Sequence, residues 1–157
     1  MKTITYIITA LMLITSAVYA EPSSLKGLSE AKFVVDLNQG SGQLLALRLR
    51  LIMETMDNIA QSDVKPDTVI AVRGQASRFM TMGDRYLNEE DRQTRQEIQG
   101  LVAELKKRGA RLEQCAIALR LLKIDPADID PDLTVVQNGY VSLIGYQNQG
   151  YAMLPME

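Results

Sequence analysis

The sequence predicts a single α/β domain with a mostly parallel sheet flanked by helices, on three observations. Short apolar runs alternate with longer stretches whose apolar residues recur every three or four positions, the signatures of strands and helices respectively. The runs are apolar along their length, as strands buried on both faces of a parallel sheet are. The chain has 157 residues, 46% hydrophobic and 23% charged, which is one globular domain and not a disordered segment.

In chain order, residues 1–20 read as a secretory signal peptide. Lys2 gives a positive start, Ile4 to Val18 is apolar apart from three threonines, a tyrosine and a serine, and Val18-Tyr19-Ala20 leads into polar Glu21-Pro22. The apolar run is shorter than the ~20 residues a membrane span needs, so cleavage is expected rather than stable membrane insertion. Residues 21–30 form a short polar leader, and the domain runs over 31–157. Removing Lys2 from 17 basic and 19 acidic residues leaves 16 against 19, a net charge of −3.

Within the domain, Ala31 to Leu37 is the first strand, closed by Asn38-Gln39-Gly40-Ser41-Gly42. Gln43 to Ser62 is a helix with one stripe through Leu45, Leu49, Ile52, Met53, Met56 and Ile59 and a second through Leu44, Leu47 and Leu51. Two apolar faces need two partners, the sheet and either a neighbouring helix or another subunit. Thr68 to Val72 is the next strand, followed by a short helix through Phe79 and Met80 and a polar loop. Arg92 to Arg108 is helical and stops at Gly109. Arg111 to Cys115 is a weaker strand, Ala116 to Leu122 a helix, and Asp125-Pro126 a capped turn. Leu133 to Val136, a helix over 138–148 and a strand over 150–154 complete the chain.

Composition removes whole classes of chemistry. There is no histidine and one cysteine, so Ser-His-Asp and Cys-His mechanisms, imidazole zinc sites and an internal disulfide are all excluded. The mild acidity argues against nucleic acid as a partner. No cofactor is implied: Gly40-Ser41-Gly42 lacks the further residues of a dinucleotide or phosphate loop and reads as a turn with Asn38 or Ser41 capping the helix. No metal is implied either, since Met53, Met56, Met80 and Met82 are explained by packing. Glu89-Glu90-Asp91 reads as a helix N-terminus. Tyr140, Tyr146 and Tyr151 read as packing or subunit-contact residues.

Parallel sheets bind ligands beyond the carboxyl ends of their strands. That rule nominates Asn38, Arg73, Cys115 and Asn138, with Cys115 as the reactive group and the others as ligand-binding residues. An odd cysteine in an exported protein is an intermolecular link, a reactive thiol or an inert buried side chain. Between a strand and a helix, Cys115 would draw on backbone amides and the helix dipole, with Arg73 or Arg120 nearby. Arg73, Arg78 and Arg85 read either as an anion-attracting group for sulfite, thiosulfate or a persulfide, or as solvated surface charges.

The order of Leu101-Val102-Ala103-Glu104-Leu105, Gly109, the Cys115 strand end, Asp125 to Val136, Asn138-Gly139-Tyr140-Val141 and Gln147 to Ala152 resembles the DsrE/DsrF-like family of small sulfur-relay proteins. The resemblance implies a parallel five-stranded α/β subunit assembling as homotrimers or hexamers. It also implies sulfur donor and acceptor partners and a cysteine, at the position of Cys115, that carries sulfur as a persulfide. The relay members work in the cytoplasm, whereas this sequence is expected in the periplasm. The expectation is thus a periplasmic sulfur-binding or persulfide-relay protein. The alternative is a non-catalytic oligomeric binding or interaction module in which Cys115 is buried and inert.

Overall fold

The computed structural model describes residues 23–156; the expected signal peptide lies outside them. The elements are β1 (Glu30–Leu37), α1 (Gly42–Gln61), β2 (Lys65–Val72), α2 (Glu89–Lys107), β3 (Arg111–Cys115), α3 (Ala116–Leu122), β4 (Thr134–Val136), α4 (Gly139–Asn148) and β5 (Ala152–Met156). Short 3₁₀ turns occupy Ser23–Leu25, Gly74–Met80 and Pro126–Asp128. The five strands form one sheet in the order β4-β3-β2-β1-β5, and every pairing is parallel.

That order explains where the helices lie. From β1 to β4 the chain steps steadily in one direction across the sheet. It then returns from β4 to β5, beyond β1 at the other edge. Because parallel crossovers are right-handed, reversing direction moves the connecting helix to the opposite face. α4, which makes this return, is therefore the one helix among the described residues on the second face, where Leu143 and Tyr151 pack on Val34, Val69 and Ala71.

The first face carries the larger core. Leu45, Leu49 and Ile52 of α1, Ile98 and Leu105 of α2 and Leu119 of α3 pack there against Phe33, Val35, Leu37, Ile70 and Val72. Each fully buried side chain of this kind contributes about 1.5–3 kcal/mol. The second α1 stripe has no such cover: Leu44 and Leu47 are 45% and 43% exposed.

The helix starts follow local chemistry, with one departure from expectation. Asn88 caps α2 by accepting from the Asp91 amide at 2.7 Å. At α1 the Ser41 hydroxyl makes no cap. The carboxylate of buried Asp91 reaches across instead and accepts from Gly42 N at 3.0 Å, satisfying an amide that the first helical turn leaves open. A Cβ at Gly42 would lie 2.0 Å from Thr94 Oγ1, so the second glycine of the turn is fixed by helix packing. The expected leader also has local order, with a 3₁₀ turn at Ser23–Leu25 and Glu30 already in β1.

Candidate functional site

β2 and β3 end side by side, with Val72 in register with Gln114. Arg73, which follows β2, and Cys115, the last residue of β3, consequently share the carboxyl edge of the sheet. α4 begins directly above, because it must start where β4 ends. Between these pieces lies a cavity of about 180 Å³. Its walls are Ile117, Ala118, Leu121 and Leu122 of α3 together with Arg73 and Tyr140, and Cys115 lines it.

Cys115 is 2% exposed, and its sulfur accepts a hydrogen bond from the Gly139 amide at 3.2 Å. The donor is the first residue of α4, so its N–H would otherwise lack a partner within the helix. The start of α4 thus supplies a backbone donor to the sulfur. The sequence suggested α3 for this role. Cys115 does occupy the N-cap position of α3, but its side chain makes no capping hydrogen bond there. The sulfur turns to the other helix.

Gly139 permits that approach. A Cβ on it would lie 3.1 Å from Cys115 Cβ and 3.4 Å from Sγ, closer than side-chain carbons normally pack. The adjacent Asn138 fixes the helix start, its side-chain oxygen accepting from Tyr140 N at 3.0 Å. The sequence nominates Asn138 as a ligand-binding amide; in the structure its side-chain oxygen is engaged as the cap of α4.

Arg73 lines the cavity, but with its charge already matched. Its Nε–H donates to Asp36 Oδ1, one terminal nitrogen donates to Asp36 Oδ2 at 2.5 Å, and the other donates to Tyr140 Oη at 3.1 Å. The guanidinium also lies 4.8 Å from the Tyr140 ring centroid. Only 16% of the Arg73 and 9% of the Asp36 side-chain surface is exposed, so this is a desolvated pair whose partners depend on each other. The other arginines of the proposed basic group are also paired. Arg78 meets Asp91 at 3.4 Å and donates to Gly40 O at 2.9 Å, and Arg85 meets Asp128 at 3.4 Å. They do not assemble into an anion trap.

Asn38 follows β1, one strand away from the cavity, and is not among its lining residues. It packs beside Gly74, whose φ is +55° and whose added Cβ would lie 3.4 Å from Asn38 Cβ. The structure thus brings Cys115, Arg73 and the backbone of Gly139 together, uses Asn138 as a support and leaves Asn38 outside. Sequence reasoning missed Asp36, Gly139 and the wall role of Tyr140. The available signal was Asn138-Gly139, a capping residue followed by the residue that allows closest backbone approach. Among the described residues, no group of three or more His, Cys, Asp or Glu side chains could hold a metal ion.

The arrangement can hold a thiol against a backbone donor inside a small, largely apolar cavity. Comparisons with known proteins agree with the fold around it. A solved structure of a protein of unknown function from Methanobacterium thermoautotrophicum is similar at a TM-score of 0.57 and 18% identity, over 80% of this chain and 97% of that one. An uncharacterized protein of Aquifex aeolicus is 27% identical over 128 residues, 81% of this chain; the match spans 56% of the relative's length. The model of the DsrE/DsrF-like family matches residues 31–156, and the chain belongs to that family.

Proposed function

We propose that this protein binds sulfur and relays it as a persulfide on Cys115, in the periplasm after removal of residues 1–20. The observation that carries this reading is the Gly139 amide donating to the Cys115 sulfur at 3.2 Å beside the cavity. The Cys115 thiolate attacks the outer sulfur of a sulfane donor, a new S–S bond forms, and the donor's S–S bond breaks with its electron pair leaving on the donor residue. A partner thiolate then attacks the outer sulfur of the Cys115 persulfide and carries it away, returning the thiolate. No oxidant is consumed in either step, and no histidine is needed.

We further propose that the chain works as a homo-oligomer. The support is apolar surface left open: Leu44 and Leu47 on α1, and Val141 and Ile144 on α4, which are 63% and 59% exposed. Light scattering on the mature protein tests this, and a clean monomer contradicts it.

For the relay, mature protein is incubated with a polysulfide donor and analysed by mass spectrometry. The expected result is a gain of one sulfur atom on Cys115, absent in Cys115→Ser. Failure of the wild-type protein to gain sulfur, with the thiol alkylated only after unfolding, would instead support the inert binding module. The burial of Cys115 is the observation that favours that second reading.

A further inference from the structure

The walls of the Cys115 cavity select by charge, and this inference rests on the relay reading above. Among the described residues lining it, Arg73 is the one charged side chain, and Asp36 engages that charge through two hydrogen bonds. Gln75 adds one neutral amide, and the rest of the wall is dominated by Ile117, Ala118, Leu121 and Leu122. An inorganic dianion such as thiosulfate would have to leave water for this surface without an uncompensated cation to receive it. Burying charge on those terms is costly, whereas an apolar substituent gains by leaving water.

We infer that the cavity takes apolar-substituted sulfane-sulfur compounds in their uncharged form, organic hydropersulfides as R–S–SH and not R–S–S⁻ above all, in preference to inorganic sulfur anions. In that reaction the Cys115 thiolate attacks the outer sulfur of R–S–SH, the Cys115 persulfide forms, and R–S⁻ departs and takes up a proton from water. The apolar group R packs on the α3 wall of the cavity that Tyr140 also lines.

The test measures sulfur loading of Cys115 by benzyl hydropersulfide and by thiosulfate, each rate divided by that for β-mercaptoethanol as a free thiol. Alkylation by uncharged iodoacetamide and anionic iodoacetate is compared in the same way. Both ratios should favour the uncharged reagent over the free-thiol ratio by about tenfold or more. Leu121→Lys, at a wall position that is 73% exposed, should place a cation at the mouth and bring both ratios back toward the free-thiol value. Equal ratios for protein and free thiol would overturn the inference while leaving sulfur loading, and hence the relay reading, intact. No loading by either donor would overturn both.

Discussion

α4 covers two polar groups at opposite ends of one sheet face, and they are finished differently. Under its N-terminus, at the carboxyl ends of the strands, lie Asp36, Arg73 and Cys115 beside an open cavity. Under its other end lie Asp67, Arg111, Glu113 and Tyr151, met by Tyr146 of the helix itself. There Tyr146 Oη donates to Glu113 at 2.6 Å and Tyr151 Oη to Asp67 at 2.6 Å, while Arg111 reaches Tyr151 Oη at 2.8 Å and Asp67 at 2.9 Å. The two tyrosine rings meet edge to face with centroids 5.0 Å apart. The second group joins the strands to α4 and its return loop. The first keeps a thiol at a space large enough for a small molecule. β3 contributes to both, Arg111 and Glu113 at one end and Cys115 at the other, so residue type alone does not distinguish a site from a strut. The cavity and the helix-terminal amide do.

The comparison predicts a separation of effects, greatest for the nucleophile itself. Cys115→Ser should abolish sulfur loading, and Tyr146→Phe should leave loading at the wild-type rate; loss of loading in both would break the division. On stability, Asp36→Ala should be the most damaging change, because it strands a largely buried guanidinium at a cost of about 3–5 kcal/mol. Urea unfolding measures it, and a loss below 1 kcal/mol, about the value of an exposed pair, would mean the pair is solvated.

Two glycines of α4 sharpen the contrast within one helix. Gly139→Ala should cost about 1–3 kcal/mol through crowding and should alter the alkylation rate of Cys115. Gly145→Ala, where an added Cβ meets nothing within 4 Å, should stabilise by about 0.5–1 kcal/mol and leave the thiol unchanged. Matching behaviour of the two variants would remove the special role given to Gly139.

A modest effect concerns pH. Tyr146 is pushed up from 10.0 to about 12, first by burial and then by its bond to Glu113, and Tyr151 is raised by burial and by Asp67. Because the folded state holds the neutral phenol more tightly than the unfolded chain does, this stabilisation is fully present below pH 10.0 and is lost as pH rises through about 12. Tyr146→Phe should cost about 1 kcal/mol at neutral pH by leaving Glu113 without its donor and should flatten the alkaline loss. An unchanged alkaline slope would contradict the assignment.

Much of the fold was legible because each element carries its own period and punctuation. Leu45, Leu49 and Ile52 mark the buried face of α1, and Asp125-Pro126 caps its turn as expected, Asp125 accepting from Ala127 N at 2.9 Å. Boundaries moved where a cap or a turn, and not the apolar stripe, decides the end of an element. α2 begins at Glu89, three residues before its apolar stripe suggests and in line with its acidic N-terminus, because Asn88 caps it there. β5 begins at Ala152, since Gly150 at φ +88° is still turning the chain out of α4. The site was legible only in part. Strand-end positions pointed to Cys115 and Arg73, but the pairing of Arg73 with Asp36 joins residues 37 positions apart, and no local pattern shows it. The donor to the sulfur likewise comes from 24 residues downstream, on a helix whose side of the sheet follows from crossover handedness and not from its own sequence.

The most direct test follows one sulfur atom through Cys115. Protein loaded with isotopically heavy sulfane sulfur is freed of donor and mixed with a small thiol acceptor. If Cys115 is a relay, the heavy atom leaves the protein and appears on the acceptor, returning Cys115 to the mass of the free thiol. A thiol that takes up no heavy sulfur while folded, or holds it and never yields it to the acceptor, would contradict the relay.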